Sequence, residues 1–153
     1  MSIRFLFTLA IILTATSSQA QFLFNYNPNL PVTVGGVELE NPWAGGLNYA
    51  QFSDIDFDFD GDMDLFVFDR SSDNIRVFTQ EGTGSSTHYE LAYNAKNSFP
   101  TDLRYRTTMV DYDNDGRNDI FTYGIGGLMV YRNVGDVTNG LQWELISELL
   151  YTE

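Results

Sequence analysis

Residues 54–68, DIDFDFDGDMDLFVF, return as residues 109–123, MVDYDNDGRNDIFTY. Aligned, Asp56, Asp58, Asp60, Gly61 and Asp64 fall on Asp111, Asp113, Asp115, Gly116 and Asp119, an offset of 55 residues. The likeness continues downstream. Ile75-Arg76-Val77-Phe78 resembles Leu128-Met129-Val130-Tyr131, and Tyr89-Glu90-Leu91 resembles Trp143-Glu144-Leu145. The offsets change to 53 and 54 only across turn-like stretches, Arg70–Asn74 against Gly124–Gly127 and the loop after them. Three matching blocks in one order restrict the chain to architectures built from repeated units.

Each unit reads as β. Short aromatic and β-branched runs alternate with Gly, Asn, Asp and Ser clusters. Leu65–Phe68 and Ile120–Tyr123 are apolar at every or nearly every position, as a strand buried on both faces would be. Ser71–Asn74 and Gly124–Gly127 predict hairpin turns. Four short strands per unit result: one before the acidic loop, one after it, one after the turn, and one near Tyr89 or Trp143. Leu141–Tyr151 has spacing that also suits a helix, but its alignment with Tyr89–Tyr93 favours a strand.

The acidic loops have the spacing of a cation site. Asp56, Asp58, Asp60 and Asp64 occupy positions 1, 3, 5 and 9, with Gly61 at 6. Alternate positions let a curled backbone aim side chains at one centre, and glycine permits the sharp turn. Asp62 at position 7 would contribute its backbone carbonyl. Asp111, Asp113, Asp115 and Asp119, with the Arg117 carbonyl, repeat the design. Calcium takes about six to eight oxygens, which this donor set with water supplies. Magnesium demands stricter octahedral geometry, and oxygen-only ligation disfavours zinc and copper. Two Ca2+ sites are expected. An EF-hand would need Glu at position 12, where Val67 and Thr122 stand inside β-runs.

Composition narrows the partners. The net charge of −13 repels nucleic acid and anionic membranes. The absence of cysteine excludes disulfide scaffolds and thiol chemistry. Aromatics at 15% exclude wholesale disorder. At the N-terminus, Arg4 precedes the apolar run Phe5–Leu13, followed by Ser18-Gln19-Ala20. That order is a secretory signal peptide over residues 1–20, and the run is too short for a membrane span of roughly 20 residues. Residues 21–153 would form the mature protein, secreted or at the cell surface, where calcium is plentiful.

The pattern D-x-D-x-D-G-x-x-D followed by an apolar strand resembles FG-GAP and VCBS repeats, the calcium-loop blades of integrin-α-like β-propellers and of secreted bacterial VCBS-repeat proteins. Asn41–Leu47, Gln51-Phe52 and DLFVFDR at 64–70 add to the likeness. The resemblance implies an all-β fold of two four-stranded antiparallel β-propeller-type blades, at about 43–95 and 98–150, in the repeat region 21–153. It implies that each Asp set coordinates one calcium, which rigidifies its blade. A closed propeller has about four to eight blades, so two make an incomplete one. A fragment, completion by self-association or by further blades of a longer parent chain, and a compact two-blade form stay open.

The functional expectation is a secreted calcium-binding module for extracellular binding or adhesion, its partner a glycan or surface protein. The alternative is a non-catalytic propeller fragment of a larger secreted lyase or hydrolase. The chain itself is not read as an enzyme. His88 is its single histidine and follows the Gly-Ser-rich turn Gly82–Ser86, and no G-x-S-x-G occurs. Arg104 and Arg106, read on one strand face, are expected as salt-bridge partners rather than ligands for an acidic sugar. Trp43 and Trp143 could stack on sugar rings, but are expected in the core.

Overall fold

A computed structural model describes residues 27, 28 and 30–150, with side chains as far as Ser147. The signal-peptide reading of residues 1–20 lies outside the described residues. Every element belongs to the compact unit Pro31–Glu153. A two-residue hairpin comes first, β1 (Thr33–Val34) and β2 (Val37–Glu38). Its turn residues Gly35 and Gly36 both have positive φ, the conformation that favours glycine in such tight turns.

Two four-stranded antiparallel meanders follow. The first is β3 (Ala50–Ile55), β4 (Asp64–Asp69), β5 (Asn74–Glu81) and β6 (His88–Leu91), paired in that order. The second is β7 (Thr107–Val110), β8 (Asp119–Gly124), β9 (Gly127–Asn133) and β10 (Trp143–Leu150), also in chain order. Leu141–Tyr151 is thus strand from Trp143 to the last described residue. Pairing with β9 overrides its partly helical spacing, through register shifts after Leu145 and Ser147. The described residues contain no α-helix, only 3-10 turns at Gly84–Ser86 and Ala95–Ser98.

Register fixes the loops. Ile55 pairs with Asp64 and Val110 with Asp119, so residues 56–63 and 111–118 are equivalent excursions between first and second strands. The turns at 70–73 and 125–126 join second to third.

The core lies between the sheets. Phe66, Phe68, Ile75 and Val77 on one face of the first sheet meet Met109, Ile120 and Tyr131 of the second. Ala95, Phe99, Leu103 and Leu141 from the connections fill the space between them. The Phe99 ring lies 5.2 Å from Phe66 and stacks at 5.7 Å on Trp143, whose indole N–H donates to the Ser98 carbonyl at 2.8 Å. Trp143 is therefore a core residue, as expected. Trp43 is not, being 41% exposed.

β4 is buried on both faces at Phe66, Val67 and Phe68. β8 is not: Ile120 and Thr122 are buried, Phe121 is half-buried and Tyr123 is exposed. The reason is positional. Phe121 and Tyr123 align with Phe66 and Phe68, and no third sheet among the described residues covers that face as the second sheet covers the first.

Side chains close the seam between β3 and β7. The Ser53 hydroxyl accepts from the Met109 N–H at 3.1 Å and lies 3.3 Å from the Thr108 hydroxyl, while Thr107 N–H donates to Gln51 Oε1 at 3.3 Å. Arg104–Arg106 is no strand. Tyr105 has φ +57°, its N–H donates to Asp73, and β7 begins only at Thr107. A left-handed residue breaks strand alternation, so the two arginines do not share a strand face. Arg104 approaches Asp73 at 3.9 Å.

The segment before β3 is tied down. The Asn41 amide donates to the Tyr89 carbonyl at 2.6 Å and accepts from Leu91 N–H at 2.8 Å, standing in for a neighbouring strand on the open edge of β6. The Arg76 guanidinium donates to the Ala44 and Gly45 carbonyls.

Candidate metal centre

Each loop curls around its first aspartate. Phe59 and Asn114 at position 4 have φ near +60°, and Gly61 and Gly116 at position 6 are also left-handed. Glycine takes that conformation without strain, and asparagine tolerates it, but phenylalanine does not. Phe59 packs against the core, which holds it there.

Hydrogen bonds repeat between the loops almost one for one. Gly61 N–H donates to Asp56 Oδ2 at 3.2 Å, and Gly116 N–H to Asp111 Oδ2 at 3.0 Å. Asp62 N–H donates to Asp60 Oδ1 and Arg117 N–H to Asp115 Oδ1, both at 2.9 Å. Asp64 accepts from Phe57 N–H at 2.7 Å and from Gln80 N–H at 2.8 Å, one on each carboxylate oxygen. Asp119 accepts from Tyr112 N–H at 2.9 Å and from Asn133 N–H at 2.8 Å in the same way. The aspartate at position 9 is thus a clamp. It ties the start of its loop to the third strand of its sheet.

The carboxylates converge, but not as complete sets of four. Oxygens of Asp56, Asp58 and Asp64 lie within 4.8 Å of one another, as do those of Asp111, Asp113 and Asp115. Asp60 stands outside the first group and Asp119 outside the second. Asp62 and Arg117 occupy equivalent places through their backbone N–H groups.

Crowding shows in the electrostatics. Desolvation, reinforced by the charges of Asp60 and Asp64, raises the Asp58 carboxyl above its ordinary range. Desolvation also raises Asp64, against the two backbone N–H groups that favour its ionised form. Asp56 Oδ1 is buried and has no hydrogen-bond partner. A buried carboxylate oxygen without a donor is costly, and a hard cation is what this oxygen-only set would satisfy best. The donor set therefore fits calcium. Bound there, calcium would offset the repulsion among the carboxylates and supply the missing partner of Asp56.

Asp69 escaped the sequence reading. It is buried at the end of β4 and accepts from Tyr49 N–H and the Ser72 hydroxyl, both at 3.1 Å, from Ser71 N–H at 3.0 Å and the Ser71 hydroxyl at 2.8 Å, with a longer bond from Asn48 N–H at 3.3 Å. The Ser71 backbone bond leads the group of bonds that hold its carboxyl far below the usual range. The signal was present as Asp69-Arg70-Ser71-Ser72, an aspartate with serines two and three residues on, a side-chain-capped turn pattern. His88 is exposed and its ring lies 3.2 Å from Glu90.

Residues 56–122 match the family model for an FG-GAP-like repeat. The matched stretch runs from the first aspartate of the first loop into β8. No curated protein and no solved structure matches the chain.

Proposed function

We propose that this FG-GAP-like stretch belongs to a secreted calcium-binding module of β-propeller type, in which calcium has a structural role and the module serves extracellular binding or adhesion. The observation that carries the reading is the buried, partnerless Asp56 Oδ1 inside a carboxylate group of calcium-loop spacing. Each acidic loop joins two strands of one sheet, and its position-9 aspartate reaches a third. An ion held there would brace a whole sheet. Secretion is supported by the order of residues 1–20, and places the loops where weak calcium sites are filled.

Calcium titration with melting followed at both calcium extremes tests this. A ligand that prefers the folded state raises its melting temperature. Calcium uptake by the folded chain together with a higher melting temperature is the expected result. A folded chain that takes up none would end the calcium reading. For the binding role, a glycan screen that gives reproducible binding, lost on changing Trp43 or Arg104, is the supporting result. A role confined to structure predicts none.

A further inference from the structure

The repeated loops differ in one respect that their sequences hide. In the second loop every aspartate is already partnered. Asp111 accepts Asp115 N–H at 3.2 Å on one oxygen and Gly116 N–H at 3.0 Å on the other. Asp113 faces the Arg132 Nε at 3.3 Å as an ion pair without hydrogen-bond alignment, so that this buried Nε has charge complementarity but no hydrogen-bond partner. Asp115 accepts the Arg117 backbone N–H on Oδ1 and pairs through Oδ2 with the guanidinium of the same residue. Arg117 is anchored in that pose by its Nε–H, which donates to the Asn133 carbonyl at 3.0 Å. Asp119 holds its two backbone donors.

The first loop has no such provision. Asp54, Asp56, Asp58, Asp60, Asp62 and Asp64 crowd into eleven consecutive residues. Among the described residues no ion pair reaches any of them, whereas two of the four ion pairs lie on the second loop. The backbone bonds part company at one point. Asp60 N–H turns to Asp58 at 3.3 Å, while its counterpart Asp115 N–H turns to Asp111. That switch strands Asp56 Oδ1, buried and without a donor. The positions equivalent to Arg117 and Arg132 are Asp62 and, at offsets of 53 or 54, Thr79 or Phe78, so no arginine can take the same role there.

We infer that the two loops are unequal partners for a divalent cation: the first requires one, whereas the second carries its own counterions in Arg117 and Arg132 and admits a cation only by displacing them. This rests on the calcium reading above and deepens it. Both pairs are partly exposed, so each is worth little alone, and releasing the two should weaken the second loop about tenfold relative to the first. The bound state of the first loop is then the ordinary one wherever calcium is plentiful, and the second loop stays ordered without it.

Calcium is titrated calorimetrically into the chain, its Asp58→Asn and Asp113→Asn variants, and an Arg117→Gln/Arg132→Gln double variant. Melting in chelator is followed in parallel. Expected are a tight event lost in Asp58→Asn and kept in Asp113→Asn, a weak event strengthened several-fold in the double arginine variant, and a lower melting temperature of that variant in chelator. Should Asp58→Asn fail to fold, the arginine variant decides alone. Equal affinities of the two loops, a tight event abolished by Asp113→Asn, or a weak event unmoved by removing both arginines would overturn the inference and leave calcium binding intact. Absence of calcium uptake by the folded wild-type chain would overturn calcium binding itself, and the inference with it.

Discussion

Asp64→Ala should damage the protein in the absence of calcium, and Asp58→Ala should not. Asp64 is 2% exposed and each of its oxygens accepts one backbone N–H, at 2.7 and 2.8 Å. A hydrogen bond to a charged group contributes about 1.5–3 kcal/mol, and removing the acceptor leaves the Phe57 and Gln80 N–H groups unpaired. Relief of desolvation and of the neighbouring carboxylates offsets part of this, as the raised Asp64 carboxyl indicates. A net loss of about 2–4 kcal/mol follows, a large share of the ~5–15 kcal/mol that holds a domain folded. At about 3–5 °C per kcal/mol for a chain of this size, melting should fall by roughly 10 °C. Asp58 is exposed, and its carboxyl is raised by desolvation and like charges. Asp58→Ala should leave melting in chelator within about 2 °C of wild type, in keeping with surface substitutions worth about 0.5 kcal/mol or less. It should abolish most of the rise that calcium gives, leaving what the weaker second loop supplies. Circular dichroism melts of both variants, in chelator and in millimolar calcium, separate the roles. An Asp64→Ala variant that melts with wild type in chelator would refute the clamp.

Three further outcomes are expected. Asp69 has a depressed carboxyl, so its stabilisation is complete above the unfolded-state pKa of about 3.9 and is lost as pH falls through the lower folded value. Urea midpoints measured below pH 4 should therefore drop less steeply for Asp69→Asn, which starts from a lower plateau at neutral pH. Asn41→Ala removes both bonds to the β6 edge, and the bared edge should raise self-association, read by sedimentation against wild type. Expressed with its own first twenty residues in a secreting host, the chain should reach the medium beginning at Gln21, as N-terminal sequencing would show.

Strand order was readable because short aromatic and β-branched runs between turn residues carry it locally, and because two copies correct each other. Trp143–Leu150, ambiguous alone, becomes a strand through its likeness to the stretch at Tyr89. What escaped depends on partners distant in sequence. The clamp at Asp64 needs Gln80, sixteen residues on, and only the β4–β5 register brings that N–H to it. Spacing proposed four equivalent carboxylates per loop, but it could not say that Asp60 and Asp119 stand apart, nor which N–H each aspartate captures. Arg104–Arg106 misled because alternation looks like a strand until Tyr105 takes a left-handed turn to meet Asp73. Trp43 misled because aromatic character predicts burial only where an element lies across it.

The two sheets stack in the same sense. The face of the first that carries Phe66 and Phe68 lies against the second, and on the matching face of the second Tyr123 and Leu128 are exposed, with no sheet among the described residues across them. The opposite face of the first sheet carries Arg76, whose guanidinium holds Ala44 and Gly45. The stack therefore has a direction, with one end dressed by the segment before β3 and the other covered only in part, by Tyr105 and Tyr112 against Tyr123 and Phe121. Contacts of this kind are heterologous, joining unlike surfaces, so two copies meeting through the partly exposed faces would not reproduce the packing already present. A further sheet of the same pattern would. A sheet added by the same translation and rotation would repeat the contact at Phe66 and Phe68, whereas a twofold pairing of the partly exposed faces would make a different one.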